Sequence, residues 1–451
     1  MRRDEPIMKK PKLTSVQVIA LGFLLMILAG ALLLMLPVSS AAHTVTPFFD
    51  CLFTAASASC VTGLVVVDTG TYWSLFGQIV LLVLIQIGGL GFMSVSALFL
   101  LMMRRRIGLR FRVILVDSIN YSQIGDILPF IRRILFGTFL FEGIGAVLLS
   151  IKFIPMLGVP RGIYYGIFHA ITAFCNAGFD LMGSVSGEYS SLVMFSGDWL
   201  VNLTVCTLIV LGALGFWVWS DLWNRKCRLH RCSLHTKLTL TMTAVLLIGG
   251  TLLFRLMENG NFAGLPEHEK WLCALFDAVT PRTAGFNTTD TAGLTDGSLL
   301  LTYILMFIGG GSGSTAGGMK MTTVAVAVLY VAAGLRNQEE ATAFGRTIPM
   351  TVLRAAVTVI SMNAGLALTG AIAICAADGI PLRDVLFETI SAVSTVGMTT
   401  GITRALGPVS RVIIIFLMYL GRVGSVSFAL AMIAKRHRVP VTLPTEQIQV
   451  G

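Results

Sequence analysis

Charge is the scarcest commodity in this chain: 12% of its 451 residues are Asp, Glu, Lys or Arg, while 55% are hydrophobic and the mean hydropathy is +0.82. A soluble globule carries about twice that share of charge, so that class is excluded and an integral membrane protein is expected. Clustered metal ligands are scarce too. Cys51, Cys60, Cys175, Cys206, Cys273 and Cys375 lie singly in apolar contexts and read as small core residues. Cys227, His230, Cys232 and His235 form the one grouping of ligand types, but their spacing fits no familiar zinc site and the cations beside them oppose a metal. No small-residue cleavage site follows the first apolar run, which is therefore read as a span rather than a signal peptide.

A spanning helix needs roughly 20 mostly apolar residues, and such runs occur near 15–36, 73–102, 134–155, 198–222, 238–257, 298–332, 350–374 and 409–434. Eight spans are expected. The formal net charge of +10 raises the question of nucleic acid, but its distribution points to topology instead. Arg2, Arg3, Lys9, Lys10 and Lys12 precede the first span. Arg104, Arg105, Arg106, Arg110 and Arg112 follow the second, Arg225, Lys226, Arg228 and Arg231 the fourth, and Lys435, Arg436 and Arg438 the last. If the spans cross in alternate directions, these clusters share one face, which the positive-inside rule makes cytoplasmic together with both termini. The opposite face carries Asp68, Asp180, Glu188, Asp198, Glu258, Asp290 and Asp296.

Four apolar segments too short to cross separate the spans in pairs: Pro47 to Ser57, Gly162 to Ala173, Lys270 to Thr280 and Leu382 to Ser394. They suit re-entrant helices. Each leads into an irregular stretch ending near a glycine: Val61-Thr62-Gly63, Asn176-Ala177-Gly178, Thr283-Ala284-Gly285 and Thr395-Val396-Gly397. Non-helical backbone at membrane depth is tolerated only where protein or a water-filled cavity satisfies it. Glycine lets carbonyls turn toward an axis, and rings of carbonyls replace the hydration shell of potassium. A lone glycine of this kind would read as a helix C-cap, whereas four in register point to an ion pore.

A second register lies in the following spans, where Gly88, Gly212, Gly309 and Gly421 align. Their distances from the preceding glycine are 88−63=25, 212−178=34, 309−285=24 and 421−397=24 residues, so the second unit carries an insertion, placed in 181–197. Small residues here also fit close helix packing. The units read as repeats spanning 15–112, 113–237, 238–348 and 349–434, with tails at 1–14 and 435–451.

The third unit departs from the pattern. Six of the ten residues Gly309, Gly310, Gly311, Ser312, Gly313, Ser314, Thr315, Ala316, Gly317 and Gly318 are glycine, at a helix cost of roughly 1 kcal/mol each. The span should break there, and the loop 309–318 should line the pore below the glycine ring and obstruct ions. Arg422 follows the aligned Gly421 and costs about 2.5–3.5 kcal/mol at the centre of a span. Its compensation is expected from Glu142 or from loop carbonyls, and Lys320 adds to the same field. The glycine run lacks the Gly-Lys-Ser/Thr ending of a phosphate-binding loop and lies in no strand-turn-helix unit, which excludes nucleotide fingerprints. Gly310-Gly311-Ser312-Gly313 has the form of an intramembrane serine hydrolase nucleophile, but the histidine available as base, His169, lies near the opposite face.

These motifs, with Cys60 through Val65, Asn176 through Asp180 and Arg282 through Asn287, resemble the Trk, Ktr and HKT superfamily of potassium transporters over about 15–435. The closest likeness is to the membrane, ion-translocating subunit of the Ktr system (KtrB-like). The resemblance implies an all-α membrane protein in which four M1–P–M2 units surround a pseudo-fourfold pore, with the four glycine stretches named above as selectivity filter and 309–318, Lys320 and Arg422 as gate. It also implies a homodimer on a cytosolic ring of nucleotide-binding regulatory subunits (KtrA-like), since the tails are too short for a nucleotide domain. The same resemblance implies potassium as the transported ion, no cofactor in the chain, and a bacterial cytoplasmic membrane as the location. Sodium dependence is common among Ktr systems, though no residue here displays it. Plant relatives with serine at the first filter position pass sodium, so Gly63 favours potassium, and the absence of a doubled glycine there points to modest selectivity. A sodium-permeable pathway is the alternative within transport. An enzyme and a nucleic-acid binder are not expected.

Overall fold

The computed structural model describes residues 14–91 and 127–424. The basic clusters at 2–12, 104–112 and 435–438, on which the expected orientation mostly rests, lie outside those residues.

The described chain is mostly helical, with one β-hairpin of two-residue strands, Thr342–Ala343 paired with Arg346–Thr347. Four helices are long and apolar enough to cross a membrane: α1 (Ser15–Leu34), α4 (Ile127–Leu157), α8 (Leu234–Met257) and α12 (Met350–Asp378). Their starts follow local chemistry. Thr14 and Gln17 form a reciprocal capping box at α1, and the Ser233 hydroxyl accepts from Thr236 N–H at α8. Leu25, Phe136, Ile248 and Ile372 on these helices stand exposed, as side chains facing lipid should.

Among these run four short helices: α2 (Phe48–Cys60), α5 (Val159–Phe174), α9 (Glu267–Val279) and α13 (Leu382–Ser394). Proline opens each, as Pro47, Pro266 and Pro381 at the N-cap and Pro160 within the first turn, where the missing N–H costs nothing. The fourth matches the expected limits, while the others differ by up to three residues at an end. The other described helices longer than one turn are α3 (Leu75–Leu90), α6 (Trp199–Leu214), α7 (Phe216–Asn224), α10 (Asp296–Ile308), α11 (Met321–Leu335) and α14 (Pro408–Val423).

Fewer helices are full-length spans by themselves than the eight expected from the sequence. α6 and α7 meet at 88° about Gly215, and counted as one they make a fifth candidate. The expected span 298–332 is two helices, α10 and α11, with non-helical chain from Gly309 to Lys320. The expected spans 73–102 and 409–434 run on past α3 and α14 into residues outside the described set.

Packing has a cyclic order. α1, α4, α8 and α12 lie on α2, α5, α9 and α13 respectively, and α3 packs on α5, α6 on α9, α10 on α13, and α14 back on α2. The buried core therefore lies at the inner faces of the short helices, where Phe53, Phe168, Phe276 and Phe387 are fully buried.

Candidate ion pathway

Each short helix ends before its glycine, and a left-handed residue stands between the two. Val61, Asn176, Thr283 and Thr395 have φ of +58°, +59°, +75° and +51°, a left-handed conformation costly for a residue with a Cβ. Each stands two residues before its glycine (63−61, 178−176, 285−283, 397−395). The glycines follow at φ +98°, +68°, +83° and +89°, with one residue of ordinary φ between. Val61 and Thr395 are themselves the C-caps of their short helices, whereas Cys175 and Thr280, both in right-handed backbone, cap the second and third. In none of the four is the glycine the cap, so it serves a different need.

That need is close approach. A Cβ on Gly63 would lie 2.5 Å from the Ala177 carbonyl oxygen, on Gly178 2.7 Å from that of Ala284, and on Gly285 2.6 Å from that of Val396. On Gly397 it would overlap the carbonyl of Thr62. The contacts run first to second to third to fourth and back to first, so the carbonyls of Thr62, Ala177, Ala284 and Val396 and the four glycines close one ring. Side chains brace it from behind: Ser57 Oγ accepts from Gly63 N–H and Ser391 Oγ from Gly397 N–H, each at 3.1 Å. The Asn176 amide group and the Thr283 hydroxyl meet at 3.3 Å across two neighbouring segments.

A polar residue follows each buried phenylalanine: Thr54, His169, Asp277 and Glu388. All are buried. Glu388 accepts from Thr399 Oγ (2.8 Å) and from Thr403 Oγ, Asp277 from Thr289 Oγ (2.8 Å), and His169 Nε2 from Leu181 N–H (3.3 Å). Three of the four therefore tie the short helix to the chain that leaves its glycine. Aligning the segments on their phenylalanines exposes this column, whereas the left-handed residues leave no mark in composition.

The loop 309–320 runs beneath the ring. A Cβ on Gly317 would overlap the Thr395 hydroxyl, and one on Gly318 would lie 2.6 Å from Ser394 Cα. Gly311 N–H donates to the Ala213 carbonyl (2.7 Å), Thr315 N–H to that of Gly212 (3.2 Å), Gly318 N–H to that of Gly421 (3.1 Å), and Phe216 N–H to that of Gly313 (2.8 Å). The loop thus hangs on the aligned small positions of two other units. Arg422 donates to the carbonyls of Thr315 and Gly88 and, at 3.1 Å, of Gly89. Of the two compensations expected from the sequence, Arg422 finds carbonyls, whereas Glu142 accepts from Gln86 at 3.0 and 3.2 Å. Lys320 Nζ donates to the carbonyls of Ala316 (2.6 Å) and Gly317 (3.1 Å).

Ser312 Oγ pairs with Thr322 Oγ1 at 3.1 Å. His169 is engaged elsewhere, with Nδ1 2.8 Å from the Tyr165 carbonyl and Nε2 on Leu181, so these two do not form a nucleophile–base pair. Among the described residues no three His, Cys, Asp or Glu side chains gather into a metal site. Cys232 Sγ instead contacts the Arg228 carbonyl.

The model of the family described as TrkH, cation transport protein, matches residues 12–438. The chain belongs to this cation transport family. It is similar to the potassium/sodium uptake protein NtpJ of Enterococcus hirae, at 39% identity over 99% of this chain and 100% of that protein. It is also similar to the Ktr system potassium uptake protein B of Bacillus subtilis, at 38% identity over 100% of this chain and 99% of that protein. Among solved structures, the potassium transporter TrkH from Vibrio parahaemolyticus shares the fold, with a TM-score of 0.74 at 17% identity over 95% of this chain and 86% of that one. The family is one of multi-pass membrane transporters, not enzymes.

Proposed function

We propose that this chain carries potassium across a bacterial cytoplasmic membrane through a path on the axis of the glycine ring. The observation that carries the reading is the cyclic approach of each glycine to the next segment's carbonyl. Four such oxygens replace part of an ion's hydration shell. Around this axis the eight spans form four M1–P–M2 units, with Val61-Thr62-Gly63, Asn176-Ala177-Gly178, Thr283-Ala284-Gly285 and Thr395-Val396-Gly397 as selectivity filter.

The gate is the loop 309–318 with Lys320 and Arg422. Its carbonyls would attract a passing cation, but the two protein cations already occupy those of Thr315, Ala316 and Gly317. The loop therefore blocks both sterically and by presenting bound positive charge. Opening requires Arg422 to release Thr315 or the carbonyls of Gly88 and Gly89. In this reading the protein is a homodimer with cytoplasmic termini, and a cytosolic nucleotide-binding ring of the KtrA type supplies the opening force. The E. hirae relative's name includes sodium, which keeps a sodium-permeable pathway as the second reading.

Growth of a bacterium lacking its own potassium uptake, together with rubidium and sodium flux, tests the proposal. Gly63→Ser should lose preference for potassium over sodium, and Ser312→Ala should transport nearly normally. Abolition of transport by Ser312→Ala with no effect of Gly63→Ser would overturn the pore reading, and equal sodium and potassium flux in the wild type would favour the second.

A further inference from the structure

The stretch 181–197 stands out in the sequence as an insertion, and the structure lays it over the outer side of the glycine ring. It docks on all three other units. Tyr189 N–H donates to Asp68 Oδ1 (2.9 Å) of the first. Leu192 N–H donates to the Asn287 carbonyl (2.9 Å) of the third, and Asn287 N–H returns a bond to Ser191 Oγ (3.0 Å). From the fourth unit the Arg404 guanidinium carbon lies 4.1 Å from the centroid of the Tyr189 ring, well inside cation–π range. Tyr189 and Ser191 are held at φ +60° and +46°, strained conformations that the three docks maintain.

Together the insertion and the four glycines bound a vestibule of about 440 Å³, with Asp68, Asp180, Asp290 and Arg404 on its wall. Because the ring runs in chain order, the second and fourth units face each other across the axis, so the Tyr189–Arg404 contact crosses the mouth. Among the described residues no carboxylate forms an ion pair with Arg404. Burial raises the Tyr189 phenol above its ordinary range; Arg404 acts against that rise, and Glu188 and Asp68 add to it. The charges at this mouth thus act within reach of one another.

We propose that Arg404, pinned over Tyr189 by the second-unit insertion, sets how readily external potassium reaches the ring. A cleft lined by carboxylates concentrates cations, and a fixed guanidinium within it opposes that focusing, so Arg404 lowers the cation concentration at the entrance. This inference rests on the reading that potassium passes the glycine ring.

Uptake of potassium by intact cells expressing the whole chain tests it, read as the external concentration giving half-maximal uptake. Arg404→Gln should lower that concentration about two- to tenfold, with surface level and maximal rate near wild type. The difference should shrink when choline chloride raises the ionic strength, and Arg404→Lys, which keeps the charge, should stay near wild type. Overturning results would be an unchanged or raised half-maximal concentration in Arg404→Gln at normal surface level, or an Arg404→Lys indistinguishable from it. A wild type that carries no potassium would overturn the transport reading and this inference with it.

Discussion

The third unit and its three companions use the same glycine position for opposite ends. In the first, second and fourth, a Cβ on Gly88, Gly212 or Gly421 would overlap the carbonyl of Ser59, Phe174 or Val393. Each of those carbonyls lies four residues before its ring glycine (63−59, 178−174, 397−393). There the small residue lets the second helix lie against the end of its own short helix. In the third, position 281 is Pro281, α10 stops at Ile308, and Gly309 turns at φ +59° toward Met319 instead. α10 leans on α8 and on α13 of the next unit.

The short helix shares the difference. Phe276 and Gly285 are 9 residues apart (285−276), where the other three pairs are 10 apart (63−53, 178−168, 397−387). Accordingly, Thr62, Ala177 and Val396 each donate their N–H to the carbonyl five residues back, while Ala284 donates to Thr280, four back. Next to it Arg282 is buried, and none of its guanidinium nitrogens finds an acceptor among the described residues. Three units with one geometry make a frame, and the third spends its second span on a loop that the frame holds.

Removing the loop should have the largest effect on that contrast. Deleting 310–317 or making Arg422→Ala should raise ion flux on the order of tenfold, equivalent to about 1.4 kcal/mol of barrier, in vesicles with matched protein levels. Unchanged or reduced flux would remove the gate from the account. A smaller effect separates packing glycines from idle ones. Gly212→Ala must push against the Phe174 carbonyl and should cost about 1–3 kcal/mol, read as a lower unfolding temperature in detergent. Gly249→Ala on α8 has nothing within 4 Å of its Cβ and should be neutral or stabilising by up to about 1 kcal/mol. Equal shifts in the two variants would mean that the close approach is not what position 212 requires.

Membrane class, helical architecture and family were legible because they rest on long-range statistics: apolar runs, sparse charge and glycines recurring at similar spacing. The break at Gly309 was legible from composition alone, since so many glycines cannot stay helical. Other features were not. Val61 and Thr395 give no hint that they adopt left-handed backbone, because β-branched residues ordinarily avoid it and only the ring's constraints hold them there. The choice of Arg422 for carbonyls over Glu142 depends on which helix ends meet in space. The insertion 181–197 was visible as extra length, yet its docking on Asp68, Asn287 and Arg404 joins residues 95 (287−192) to 215 (404−189) positions apart, beyond the reach of any local pattern.

The most direct measurement is anomalous diffraction from crystals of the full chain soaked in rubidium. A rubidium peak on the axis within coordination distance of the Thr62, Ala177, Ala284 and Val396 carbonyls is the predicted result. A well-ordered ring with no peak there, or rubidium bound only elsewhere, would contradict the claim that these glycines exist to bring main-chain oxygens around a cation.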